Sequence, residues 1–231
     1  MCIGIFLCML DTTVMNIALP AIQEDLSISL NSVQWALNIY IILFASLSIP
    51  LTALAEKFGR NRAYIVSLFI FILGSLISSL STTLPLLITG RAIQAVGAAI
   101  IFPLSMTIGI NLVTLEKRTK VIAALGVTQG LASALGPTIG GILTQFLGWR
   151  WIFLVNIPLI AISFIICISC LNLNEITKTV HIDFIGAILC VITLFSLTLA
   201  LVKAHDWGWT NISIIGLFCF FSCFFHCIPT A

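Results

Sequence analysis

"MLDTTVMNIALP", residues 9–20, sets a carboxylate, Asp11, about halfway along an apolar run that begins at Met1. A membrane-spanning helix needs roughly 20 predominantly apolar residues. Residues 1–21 meet that requirement with Asp11 as their one charge. Why the acid is there depends on what surrounds it.

The composition decides the solvent. Of 231 residues, 60% are hydrophobic and 8% charged, against about 25% charged in a typical soluble domain. So few charges cannot cover the surface of a water-soluble fold, so the chain reads as an all-α integral membrane protein. The net charge of +2 comes without a basic run or basic helix, which argues against nucleic acid as a partner. The first segment lacks a positive leading region and a clear small-residue cleavage site, so it reads as a retained span.

Eight spans fit the hydropathy pattern: residues 1–21, 33–55, 63–81, 85–112, 120–147, 150–171, 183–203 and 211–229. The breaks between them are short and collect the charges and turn formers, as in "EKFGRNR", "LEKRTK" and "NLNEITKTVHID". Short connections favour antiparallel neighbours in a bundle. Loops on one side hold Lys57, Arg60, Arg62, Lys117, Arg118, Lys120 and Lys178, and those on the other hold Arg150 and Lys203. The richer side is expected in the cytoplasm, which puts both termini there. Trp149, Trp151, Trp207 and Trp209 then fall on the outer side, where indoles suit the headgroup region.

All eight cysteines lie in apolar runs and read as small hydrophobes. Cys219, Cys223 and Cys227 share a helix face beside His226, but no carboxylate or second histidine joins them, so no metal is expected. His181 and His205 sit in loops and His226 at a span end. With no long extramembrane stretch for a soluble active site, the chain does not read as an enzyme.

Three features ask for a reason. An ionised Asp11 near the bilayer centre would cost at least ~2.5 kcal/mol unless it met water, a cation or a proton. Arg91, in "TGRAIQAVGAAIIFP", lies in the outer half of the fourth span and always keeps its charge. Asp11 is its obvious partner at similar depth, with Gln94 one turn along, and Gly90 and Gly97 mark a packed helix face. The third feature is "GVTQGLASALGPTIGG" in the fifth span. Gly126, Gly130 and Ala134 repeat every fourth residue, as do Gly136 with Gly140 and Ser133 with Pro137 and Gly141. Such a face lets another backbone approach closely, and Pro137 should bend the helix. A gate, a seal or plain tight packing would each use such a helix.

These motifs together resemble the N-terminal part of a major facilitator superfamily transporter, of the fourteen-span drug:proton antiporter group of the EmrB/QacA type. "LDTTVMNIALP" resembles that group's first-span signature, "LAEKFGRNR" the loop 2–3 motif, "RAIQAVGAA" the fourth-span motif and "GPTIGG" the fifth-span antiporter motif. "GWRWIFLVNIPL" resembles the start of the sixth span and "DFIGAIL" the extra span that follows. The resemblance implies a six-span bundle over residues 1–172, built as two inverted three-span repeats, with a cytoplasmic loop and two extra spans over 173–231. The C-terminal bundle of the family would be missing. It implies proton and substrate coupling at Asp11, Arg91, Gln94 and Asn16, and a conformational motif at Glu56, Lys57, Gly59, Arg60 and Arg62. It also implies an antiporter bend at Gly136, Pro137, Gly140 and Gly141. Within the loop 2–3 motif, Thr52 replaces the family's first glycine, Glu56 its aspartate and Lys57 its first arginine. The implied function is proton-driven export of hydrophobic or cationic small molecules across a bacterial inner membrane, with the proton gradient as energy source and no cofactor. A second polypeptide or second copy would supply the missing half. The alternative is a truncated, non-transporting membrane protein.

Overall fold

The computed structural model describes residues 1–171 and 184–227, with the side chains of Phe184, His205, Asp206 and residues 223–227 outside that description. Lys178 and His181 therefore lie outside the described residues, as does the side-chain cluster of Cys223, Cys227 and His226. The helices are α1 (Cys2–Leu26), α2 (Leu30–Phe58), α3 (Arg60–Ser79), α4 (Leu84–Asn111), α5 (Arg118–Phe146), α6 (Trp151–Leu154), α7 (Asn156–Cys170), α8 (Phe184–Trp207) and α9 (Ile212–Cys227). Among the described residues, seven helical stretches are long and apolar enough to cross a membrane, with α6 and α7 acting as one of them. The described part of the last apolar segment, α9, has 16 residues.

Local chemistry sets the helix ends. Ser27 closes α1 in the left-handed region, and Ser29 caps α2 by accepting from the Ser32 backbone N–H. Gly59 joins α2 to α3 at φ 100°, a conformation that side chains resist. Val155 interrupts the sixth span three residues before Pro158. Proline has no N–H to give the Leu154 carbonyl, so the helix divides there.

Helices α1 and α4 form the centre. α1 packs chiefly on α5, and α4 chiefly on α3 and α2. Exchanging α1 with α4, α2 with α5, and α3 with α6–α7 turns the α1–α5 contact into the α4–α2 contact. Alternating spans run in opposite directions, so this exchange relates two inverted three-span repeats. α3 and α7 turn Val66, Phe69, Leu73, Ile162 and Ile165 outward as an apolar, lipid-suited surface. The extra pair docks through α8 on α2, where Lys203 stands 4.5 Å from the Trp35 ring centroid, and α9 packs on α8.

The central contacts depend on small residues. A Cβ on Gly97 would lie 2.8 Å from the Phe71 nitrogen and 2.8 Å from the Ser67 carbonyl oxygen. One on Gly74 would meet the backbone of Gln94 and Gly90. α3 and α4 therefore touch backbone to backbone. On α5, Gly136 faces Thr13 and Gly140 faces Val14 of α1. The rest of the α5 glycine pattern does not behave as expected from spacing. Among the described residues, Gly126, Gly130 and Gly141 have nothing within 4 Å of an added Cβ, because α5 buries only the side holding Leu125, Ala132, Gly136 and Gly140. The helix also runs unbroken through Pro137 from Arg118 to Phe146.

Overpacking a filled site typically costs about 1–3 kcal/mol. Gly97→Leu is expected to lower the melting temperature of the purified protein by several degrees, whereas Gly126→Leu leaves it unchanged. Equal melting curves for both would contradict the α3–α4 backbone contact.

Candidate functional site

The bundle interior has two apolar clusters. One gathers around Leu7, Tyr64, Leu68, Phe71 and Ile101, the other around Leu10, Val14, Met15, Leu87 and Phe153. A polar cluster lies at the level where they meet, since Asp11 falls between Cys8 and Val14 on α1, and Arg91 between Leu87 and Ala95 on α4.

Asp11 is 4% exposed and Arg91 fully buried. Arg91 Nη1 donates to Asp11 Oδ2 at 2.5 Å and to Gln94 Oε1 at 3.0 Å, and its Nε donates to the Ala36 carbonyl at 3.3 Å. The guanidinium carbon lies 4.1 Å from the Tyr40 ring centroid and 5.8 Å from that of Phe153, positions suited to cation–π attraction. Asp11 Oδ1 accepts from Gln94 Nε2 at 3.2 Å and from Asn156 Nδ2 at 3.1 Å. Both amides also donate to Ser75 Oγ, at 2.7 and 3.4 Å. Five spans thus contribute to one carboxylate and one guanidinium.

The sequence placed Asp11, Arg91 and Gln94 at one site, and the structure brings them together. Asn16 stands apart: it is exposed and donates to the Thr12 carbonyl of its own helix at 3.2 Å. Five residues from Asp11, it points to a different side of α1, so it does not reach the carboxylate. Asn156, Ser75 and Tyr40 complete the cluster and were not singled out in the sequence. Asn156 had a detectable signal, a lone amide in the apolar run "WIFLVNIPL". Ser75 and Tyr40 had none, since serine and tyrosine occur throughout the spans.

The second motif sits at the α2–α3 junction. Arg60 pairs with Glu56 at 2.8 Å across one helical turn bridged by Gly59, and both side chains are partly exposed. Arg62 borders an apolar groove lined by Leu54, Phe58, Val66 and Ile100, and Lys57 is exposed. Thr52, where the family has glycine, turns its hydroxyl back onto the Ser48 carbonyl at 2.5 Å. At the opposite end of the bundle, Arg150 pairs with Asp25 at 3.0 Å, donates to the Ser81 carbonyl at 3.1 Å and lies over the Trp149 ring. Trp149 Nε1 also donates to Asp25 at 3.1 Å. This clamp ties the ends of α1, α3 and α5 together. Its ion pair is partly exposed and so worth at most about 1 kcal/mol. Gly136 and Gly140 meet α1 within a turn of Asp11, while Pro137 and Gly141 turn away from it.

Comparison with known proteins puts this geometry in a family. A model described as Major Facilitator Superfamily matches residues 1–230. The chain belongs to the Major Facilitator Superfamily. It is 35% identical to the methylenomycin A resistance protein of Bacillus subtilis over 217 residues, 94% of this chain and 46% of that one. It is 34% identical to the probable multidrug resistance protein EmrY of Escherichia coli over 212 residues, 91% of this chain and 41% of that one. Among solved structures, the POT family transporter PepTSo superposes with a TM-score of 0.69 at 15% identity, over 96% of this chain and 50% of that one, a likeness of fold. The chain spans about half the length of the curated relatives it matches. It is a multi-pass membrane protein of this superfamily.

Removing one partner of a buried ion pair leaves an uncompensated charge and typically costs about 3–5 kcal/mol. Arg91→Ala is therefore expected to destabilise the purified protein by that order. Asp11→Asn combined with Arg91→Ala should recover much of the loss, because no lone charge remains. A double variant as unstable as the sum of the singles, by thermal or denaturant unfolding, would contradict the pairing.

Proposed function

We propose that this chain forms the N-terminal half of a proton-driven exporter of hydrophobic or cationic small molecules in a bacterial inner membrane. The buried Asp11–Arg91 pair carries the reading. Intramembrane ionisable groups are expensive and mark ion and substrate pathways, and this pair occupies the centre of the bundle. The relatives' names, methylenomycin A resistance and multidrug resistance, support the cargo class.

The proposed coupling follows from the charge balance. With Asp11 ionised, the pair is satisfied within the bundle. When a proton binds Asp11, Arg91 becomes a buried cation without a counter-charge, left with the Gln94 and Ala36 carbonyl oxygens and the Tyr40 ring, a state that costs several kcal/mol. The bundle then gains by moving to an arrangement that gives Arg91 water or another anion. Such a difference between two states is what a coupling free energy requires. A cationic substrate would compete with the proton for the same negative charge. Asn16, exposed on α1, would face the pathway rather than the buried pair. The paired Glu56 and Arg60, with Lys57, Gly59 and Arg62, would set the cytoplasmic end of that switch. Gly136, Pro137, Gly140 and Gly141 would seal the outer end.

The opposite wall of the pathway would come from a second polypeptide or a second copy. The open side of α5, where Gly126, Gly130 and Gly141 meet nothing, suits that role. Loops rich in Lys and Arg would put both termini in the cytoplasm, and the proton gradient would be the energy source, with no cofactor.

The test is drug accumulation in cells that make this chain together with the second half of a full-length relative. Asp11→Asn and Arg91→Ala should each abolish proton-coupled efflux. Arg91→Lys should restore part of it, because lysine keeps the charge but loses the planar, multidentate guanidinium. Efflux unchanged by Asp11→Asn would remove the carboxylate from the mechanism. No efflux from the parent pair of halves would favour a non-transporting membrane protein.

A further inference from the structure

Two amides hold the same carboxylate oxygen, and they are not equivalent. Gln94 uses both ends of its amide. Its Nε2 donates to Asp11 Oδ1 and Ser75 Oγ, and its Oε1 accepts from Arg91 Nη1 at 3.0 Å. Turning it over would set its Nε2 against the guanidinium, donor against donor. Asn156 uses one end. Its Nδ2 donates to Asp11 Oδ1 and Ser75 Oγ, while its Oδ1, fully buried, has no hydrogen-bond partner among the described residues. An unpartnered buried carbonyl oxygen is costly, typically about 1–3 kcal/mol, and calls for an explanation. Asn156 also stands at a helix junction. Asn156 is the first residue of α7, directly after the break at Val155 and two residues before Pro158.

We infer that Asn156 is a positioning residue that reads the protonation state of Asp11 by turning its side-chain amide over. The inference rests on the reading of Asp11 as the acid that takes up the proton. With Asp11 ionised, both carboxylate oxygens can only accept, and the Asn156 NH₂ faces them. When a proton adds to Asp11 Oδ1, that oxygen becomes a donor and the NH₂ is opposed by an O–H. A half-turn about the last side-chain bond puts the Asn156 carbonyl oxygen where its nitrogen was. It then accepts from the new Asp11 O–H and from the Ser75 hydroxyl, which still accepts from Gln94. The acceptor thus finds partners in the protonated state, and the NH₂, having given up Asp11 and Ser75, takes the position the oxygen held. The balance is one proton taken up from water and no other bond made or broken.

The surroundings leave this task to Asn156. The charged and titratable groups around Asp11 are Cys8 on α1, Tyr40 on α2 and Arg91 on α4, while α3 offers Ser75 and α7 offers Asn156. Arg91 has no acceptor atom, and Gln94 is held in place by Arg91. Asn156 is the one of these polar partners whose amide can exchange donor for acceptor at the carboxyl while leaving the Arg91–Gln94 contact intact, and its contact with Ser75 is remade in the opposite sense. Because it begins α7, its turn acts on the junction between the two parts of the sixth span.

The experiment is pH-difference infrared spectroscopy of the full chain in lipid nanodiscs, with asparagine labelled by ¹³C at the side-chain carbonyl. The expected spectrum shows a carboxyl band, lost in Asp11→Asn, that rises together with a label-sensitive amide band, lost in both Asp11→Asn and Asn156→Leu. In Asn156→Leu the Asp11 carboxyl band should remain but at a shifted frequency, since one hydrogen-bond partner is gone. A carboxyl band from Asp11 without an accompanying amide band overturns the inference, and needs no variant at Asn156 to show it. An amide band that survives Asn156→Leu overturns it as well. No Asp11 carboxyl band at all, at any pH where the protein stays folded, overturns both this inference and the proton-coupling role of Asp11.

Discussion

The structure depends on one buried attraction, between the Asp11 carboxylate of α1 and the Arg91 guanidinium of α4. Neither charge can stay in an apolar interior alone. Every neighbour of the pair serves to satisfy what the ionic contact leaves over. Gln94 links the two charges, the Ala36 carbonyl takes the Nε proton, Tyr40 and Phe153 cover the guanidinium, and Asn156 and Ser75 support the carboxylate. The arrangement is nearly complete, and its incompleteness is informative. Among the described residues, Arg91 Nη2, Asn156 Oδ1 and the Tyr40 hydroxyl lack hydrogen-bond partners. On the proposed coupling, Arg91 and Asn156 are the groups whose hydrogen-bonding needs would change with a proton on Asp11.

Close helix approach makes this cluster possible. Five spans can converge on one ion pair only if their axes come near each other. Gly74, Gly90 and Gly97 let α3 meet α4 at backbone distance, and Gly136 and Gly140 do the same for α5 against α1. Lipid supplies no hydrophobic force between helices, so these contacts must come from packing and from polar interactions such as this one. The glycines and the charged pair therefore depend on each other. Close packing excludes water from the pair, and the pair gives the central helices a reason to meet in one register.

The outlines of the fold were readable in the sequence because bilayer crossing imposes a length and a composition on every span. Over the described residues each of the eight apolar segments is helical, the sixth in two pieces, with several ends extended by polar turns that the hydropathy pattern does not count. The charged core of the site was equally plain, since an acid and an arginine within spans stand out against so few charges. Asn156, Ser75 and Tyr40 were harder to find, because their importance lies in where three separate helices bring them and not in their type. The glycine spacing on α5 shows the opposite error. Small residues at every fourth position permit close approach but do not require a partner, so Gly136 and Gly140 are covered and Gly126 and Gly130 are not.

The position of the pair within the internal symmetry gives it leverage. α1 opens the first three-span repeat and α4 opens the second, and the inverted relation exchanges the two helices. Asp11 and Arg91 therefore face each other across the seam between repeats, one charge from each. A change confined to a single repeat would be absorbed by its own packing. A change in the charge of Asp11 alters an interaction that belongs to neither repeat alone, and Asn156, from the last span of the second repeat, reaches back across the same seam. In the proposed coupling, protonation at this point would act on how the repeats fit together, the degree of freedom that an alternating-access protein built from inverted repeats has to control.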